Sequence, residues 1–201
     1  VLGTTSSAAT TTAATSLTFA HTVGSGDNRL LVVTIATGPN GTTGGYGTVN
    51  TVTYAGQSLT RLGFQNEDTE DDVRVEIWYR VDSSLAASGN IVVTLDGSTV
   101  KRITAGASNF AGVDQTNPFG SPSTFVGNQG PQPGSGTSTA TVSVPSVASG
   151  EIVVGVGAGI AGGKLHIDFN VVVLGRVPEL VQQLVLDIRA AHGRGRVQRH
   201  G

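Results

Sequence analysis

Residues 66–72 read Asn-Glu-Asp-Thr-Glu-Asp-Asp, and Glu67, Asp68, Glu70, Asp71 and Asp72 crowd their carboxylates into this one stretch. Hard cations collect oxygen ligands, so this is a donor set that calcium could use to stiffen a loop. The spacing does not match an EF-hand loop. A solvated acidic turn that discourages edge-to-edge pairing is the plainer expectation, with calcium as the alternative.

A second stretch, Gly157-Ala158-Gly159-Ile160-Ala161-Gly162, fits G-x-G-x-x-G. Dinucleotide binding needs such glycines between a strand and a helix whose N-terminus faces the pyrophosphate. Here the next residues, Gly163-Lys164-Leu165-His166-Ile167-Asp168-Phe169, keep the alternation of a strand. The glycines are therefore expected to form a hinge, and no dinucleotide site is expected. The histidines at 21, 166, 192 and 200 are scattered, with no His-Glu-x-x-His and no nucleophile elbow. No carboxylate pair stands out for glycoside hydrolysis. His21 lies on the apolar face of a strand pattern and reads as a packed residue. Trp78 and Tyr46 are the aromatics that could stack on a sugar, although sheet packing is the commoner use of a strand tryptophan.

The elements that must position these groups are strands. Of 201 residues only 13% are charged, while 29 are glycine, and Thr, Ser and Val recur throughout. Short strands joined by glycine-rich turns fit that mix, and a helical bundle does not. Cysteine is absent, which excludes disulfides and thiolate metal sites. Net charge is −2, so nucleic acid is not an expected partner. No apolar run is long enough for a membrane-spanning helix, and no membrane insertion is expected. The absence of methionine, position 1 included, suggests an exported chain from which a leader has been removed.

Along the chain, Leu17, Phe19, His21 and Val23 share one strand face. Residues 29–37 form an apolar, β-branched run that reads as a buried strand. Two strands are expected around a tight turn at Ala55-Gly56-Gln57. In the next strand Val73, Val75, Ile77, Tyr79 and Val81 point one way, and Arg74, Glu76, Trp78 and Arg80 the other. Residues 111–137 are rich in Pro, Gly, Ser and Asn and should form a surface loop. About nine strands in this arrangement predict a mainly β fold, an antiparallel β-sandwich of jelly-roll type. Acidic side chains dominate up to residue 163 and basic ones after it. That shift divides the chain into a low-complexity segment (1–15), a sandwich (16–160) and a glycine hinge with a short strand–helix appendage (161–201). The helix of that appendage starts at Pro178 and ends near Gly193.

The stretches SLTFAHTVGSGDNRLLVV, VTYAGQSLTRLG, VEIWYRV and AGASNFAGVDQTNPFG resemble β-sandwich modules of large secreted bacterial surface proteins. That resemblance covers residues 16–160 and implies a fold and an extracellular location rather than a reaction. Such modules usually carry further strands that close the sheet, and here a different segment follows. LHIDFNVVV with VPELVQQLVLDI, within residues 164–192, resembles the strand–helix part of the alkaline-shock protein family, without the strand that should follow.

The expected function is therefore structural and non-enzymatic: an extracellular or cell-surface subunit that assembles with copies of itself. Residues 1–15 carry no charge and little that could fill a core. Their ordering costs about 1–2 kcal/mol per residue, so in isolation they should be disordered. Through Thr4, Thr5, Thr10, Thr11 and Thr12 they could add a strand to a neighbour's open edge. A carbohydrate-binding or adhesin module that takes surface glycans on Trp78 and Tyr46 is the alternative, followed by a polysaccharide hydrolase. No cofactor is expected, calcium apart.

Overall fold

A computed structural model of the chain describes residues 2–39, 45–66, 73–97, 101–119, 154–161 and 164–171. These are mainly β. The strands are β1 (Leu2–Ala9), β2 (Ser16–Thr22), β3 (Leu30–Gly38), β4 (Val49–Tyr54), β5 (Gln57–Ser58), β6 (Thr60–Asn66), β7 (Arg74–Val81), β8 (Ser88–Leu95), β9 (Arg102–Phe110), β10 (Gly155–Ala161) and β11 (Lys164–Val171). Two antiparallel sheets, ordered β1-β9-β3-β7-β6 and β2-β8-β4-β5, share one core in the manner of a β-sandwich. A strand expected at residues 138–144, the helix after Pro178 and the acidic stretch 67–72 lie outside the described residues.

The shared core takes alternate residues from each sheet. Leu17, Phe19 and His21 of β2 and Ile91, Val93 and Leu95 of β8 meet Leu31, Val33 and Ile35 of β3 and Ala105 and Ala107 of β9. Burial of a side chain of this size contributes about 1.5–3 kcal/mol. β3 is buried along its whole length, as its unbroken apolar run predicts. Its second face carries Leu30 and Val32, which join Ile77, Phe110 and Val113 in a separate apolar cluster. Tyr79, Val81, Phe119, Val154 and Val156 pack on that cluster. It is the outer side of the five-stranded sheet, covered by β10 and by the segment that follows β9.

Several expectations change here. Period-two alternation in β7 separates its two faces correctly, but Arg74, Glu76 and Trp78 lie on the inner side, buried between the sheets. The valines, Ile77 and Tyr79 face the outer cluster. The glycine stretch is no hinge along 155–161: it is β10, hydrogen-bonded to β11 from Gly155↔Val171 to Ala161↔Lys164. That hairpin runs across the boundary expected at residue 160. The turn at Ala55-Gly56 forms as expected, with positive φ at both residues (48° and 79°). These are the angles of a two-residue hairpin turn whose twist suits flanking strands. The strand beyond it is split. β5 stays with β4, the buried Leu59 donates its N–H to the Val52 carbonyl, and β6 then crosses to the edge of the other sheet.

The N-terminal segment differs most. β1 is ordered on its own chain, antiparallel to β9 with Ser6 opposite Ala107 and Ala9 opposite Thr104. The edge expected to await a neighbour is filled in cis.

Candidate functional site

Two polar constellations stand out, one on each flank of the five-stranded sheet. The first centres on Glu76, only 1% exposed. Alternation on β7 places Arg74 and Trp78 on the same side of the strand as Glu76. Oε1 of Glu76 accepts from Arg74 Nε at 2.6 Å and from the Val49 N–H at 3.0 Å. Oε2 accepts from the Trp78 indole N–H at 3.0 Å and faces Arg61 Nη1 at 3.8 Å. A buried carboxylate is tolerated only when paired and hydrogen-bonded, and this one is.

Arg74 extends the chain outward. Its Nη1 donates to Asn66 Oδ1 at 2.7 Å, and Asn66 Nδ2 donates to the Tyr46 hydroxyl at 2.8 Å. Its guanidinium stacks over Phe64, 3.8 Å from the ring centroid, with Arg61 also over that ring at 5.1 Å. Phe64 is the exposed large apolar side chain among the described residues. Trp78 and Tyr46 are thus joined through Glu76, Arg74 and Asn66.

The indole is buried in the core and committed to Glu76, so only its margin reaches a shallow cleft of about 370 Å³ lined by Thr48, Val49, Asn50, Arg61, Trp78 and Asp96. The ring face that a sugar would stack on is packed against the core, Trp78 being 7% exposed. With both oxygens of Glu76 engaged, the arrangement holds β4, β6 and β7 together. Glu67, Asp68, Glu70, Asp71 and Asp72 lie outside the described residues; among the described residues no three His, Asp or Glu side chains come together to hold a metal ion.

The second constellation holds β1. The ladder to β9 shifts register between Leu2 and Thr5, which leaves Thr4 without a ladder partner. Asn109, 1% exposed, replaces it: its Oδ1 accepts the Thr4 N–H at 3.0 Å and lies 3.1 Å from the Thr4 hydroxyl, which also reaches the Thr22 carbonyl. Ser6 Oγ meets His21 Nδ1 at 2.8 Å, across the gap between sheets. Thr10 closes the far end, its N–H donating to the Ile103 carbonyl at 2.8 Å and its hydroxyl accepting the Ile103 N–H at 3.0 Å. Thr5 sits exposed in the ladder opposite Ser108, and Thr11 and Thr12 are exposed in the bend before β2.

His21 is 2% exposed, its ring edge-on to Tyr54 at 5.9 Å and 70°. Its Nε2 is buried without a hydrogen-bond partner. Burial pushes its pKa below the ordinary 6.5. Burial also raises the Tyr54 phenol, against the opposing charge of Arg29. The sequence places His21 on a buried face correctly. It gives no sign of Asn109 or of the Glu76 hub, because a polar residue in a strand pattern looks alike whether it faces solvent or a partner.

No protein family, no curated protein and no solved structure matches this chain.

Proposed function

We propose that this protein is a non-enzymatic, extracellular structural subunit that assembles by strand complementation, β1 of one copy seated on β9 of the next. In this reading the sandwich is a jelly-roll-like surface module, with the C-terminal strand–helix segment as an appendage. One observation carries it. β1 is an uncharged edge strand that, from residue 4 onward, adds only Ala8 to the shared core, so hydrogen bonds that another copy supplies equally well hold that stretch in place. Edge strands of this kind are templates for exchange. Successive head-to-tail exchange is heterologous and builds an open filament, or a ring where the rotation closes.

Electron microscopy and sedimentation of the full chain at rising concentration test the reading, beside a chain lacking residues 1–15. The expected result is concentration-dependent assembly of the full chain, none of the truncated chain alone, and capture by the truncated chain of a peptide copying residues 1–12. A full chain that stays monomeric, or a truncated chain that assembles equally well, overturns it. The cleft between β4 and β7 favours a second reading, glycan binding at Arg61, Asn50 and Asp96. Saturable binding on a glycan array, lost in Asn50→Ala, would select it.

A further inference from the structure

The seat of β1 contains one buried ionisable group, and that group stands between the strand and its release. β1 packs across the sandwich on β2. Ser6 reaches down from β1 to His21. We propose that His21 is a proton-operated latch on the strand-exchange seat: neutral, it holds β1 of its own chain or of a second copy through Ser6, and protonated, it opens the seat. This rests on the strand-complementation reading.

The chemistry of the surroundings supports the latch. A docked, neutral imidazole uses Nδ1 for Ser6 and buries Nε2 with nothing to accept or donate. Protonation makes both nitrogens donors, and the second N–H would then be a buried, unpaired, charged donor, which is costly. Among the described residues nothing nearby compensates. From β4 the ionisable group that faces the ring is Tyr54, neutral at these pH values, on which Arg29 acts with a further positive charge. β8 presents Gly89 at the paired position. β9, opposite Ser6 at Ala107, carries no ionisable side chain between Ala105 and Phe110. β1 itself is uncharged. Among the described residues no carboxylate pairs with His21, so an imidazolium gains stability only when β1 lifts and water reaches it.

The sign follows. Water reaching the ring as β1 undocks moves its pKa back up toward the ordinary 6.5, and with β1 docked it lies lower because burial disfavours the charge. Docking is therefore fully favoured above pH 6.5 and weakens as pH falls from there toward the lowered value. One linked proton allows at most about a tenfold change per pH unit.

The test uses the full chain. Amide-exchange protection factors of residues 2–9, with intrinsic pH effects divided out, are compared with those of residues 88–95 between pH 7.5 and 5.5. The expected result is a several-fold fall in β1 with β8 unchanged, and no such fall in His21→Gln. If that variant does not fold, the wild-type chain decides by NMR: the His21 ring should titrate below 6.5, together with the Ser6 and Asn109 signals. β1 protection that follows β8, a fall that persists in His21→Gln, or a ring that titrates independently of Ser6 overturns the latch. Capture of a labelled 1–12 peptide by the same chain, faster at pH 5.5, separates the two ideas. A working latch without capture at either pH sinks strand complementation alone, and capture at equal rates sinks the latch alone.

Discussion

Glu76 shows what one buried side chain contributes when both of its oxygens are engaged. Its carboxylate is fixed by Arg74, the Val49 N–H and Trp78, with Arg61 closing the outer side. Glu76→Ala leaves Arg74 buried without its anion, and removal of one member of a buried pair costs about 3–5 kcal/mol. Denaturant unfolding should report a loss in that range. Trp78→Phe keeps most of the packing and deprives one carboxylate oxygen of its donor, for an expected loss of about 1–3 kcal/mol. Ala55 offers the opposite case. Its φ of 48° lies in the left-handed region, which costs an L-residue about 1–2 kcal/mol. Ala55→Gly should therefore raise stability by up to about 1 kcal/mol, the gain being reduced by the extra freedom of glycine in the unfolded chain. A higher melting temperature checks it.

Among the elements, β8 and the β4–β5 turn are coupled by close approach. A Cβ on Gly89 would lie 2.7 Å from the Ala55 Cβ. Gly89→Ala should cost about 1–3 kcal/mol through overpacking. Combination with Ala55→Gly removes the nearest opposing atom but leaves the residue 55 Cα at 3.1 Å, so the double variant should recover part of the loss, as a thermodynamic cycle will show. The elements were unequally legible in the sequence. β2 and β3 declare themselves through alternating and continuous apolar runs, and the Ala55-Gly56 turn through its glycine. β1 does not, because Thr, Ser and Ala carry no apolar period, and its order comes from Asn109 and His21, which lie far along the chain. β7 reveals its two faces but not their direction. Both are covered, and alternation alone cannot say that the charged side turns inward. The Leu59 crossover was hidden for a related reason: one apolar residue closes the pattern of β5 and opens that of β6.

At the scale of the whole molecule, the five-stranded sheet is a middle layer, with the second sheet on one side and β10 with Phe119 on the other. Deletion of residues 154–201 should leave the sheet signal in circular dichroism largely intact while baring Leu30, Val32 and Ile77. Increased binding of an apolar dye checks this, and global unfolding would show that the hairpin is needed for the fold. The acidic stretch 67–72 is tested by calorimetric melting with calcium and with chelator. A site at a hundredfold ligand excess over its dissociation constant would add about 2.7 kcal/mol, whereas a solvated turn gives no shift, which is the expected outcome.

The antiparallel register of β1 has a mechanical consequence. Leu2 lies beside Phe110, so the start of the chain and the exit from β9 leave the sheet at the same end. Tension between residue 2 and residue 111 therefore loads the β1–β9 hydrogen bonds one after another from that end, as a zipper opens, and not all at once as in shear. A subunit held at a surface by these two points would yield β1 at low force, well before the β3–β9 ladder at its centre, and would stretch without losing its core.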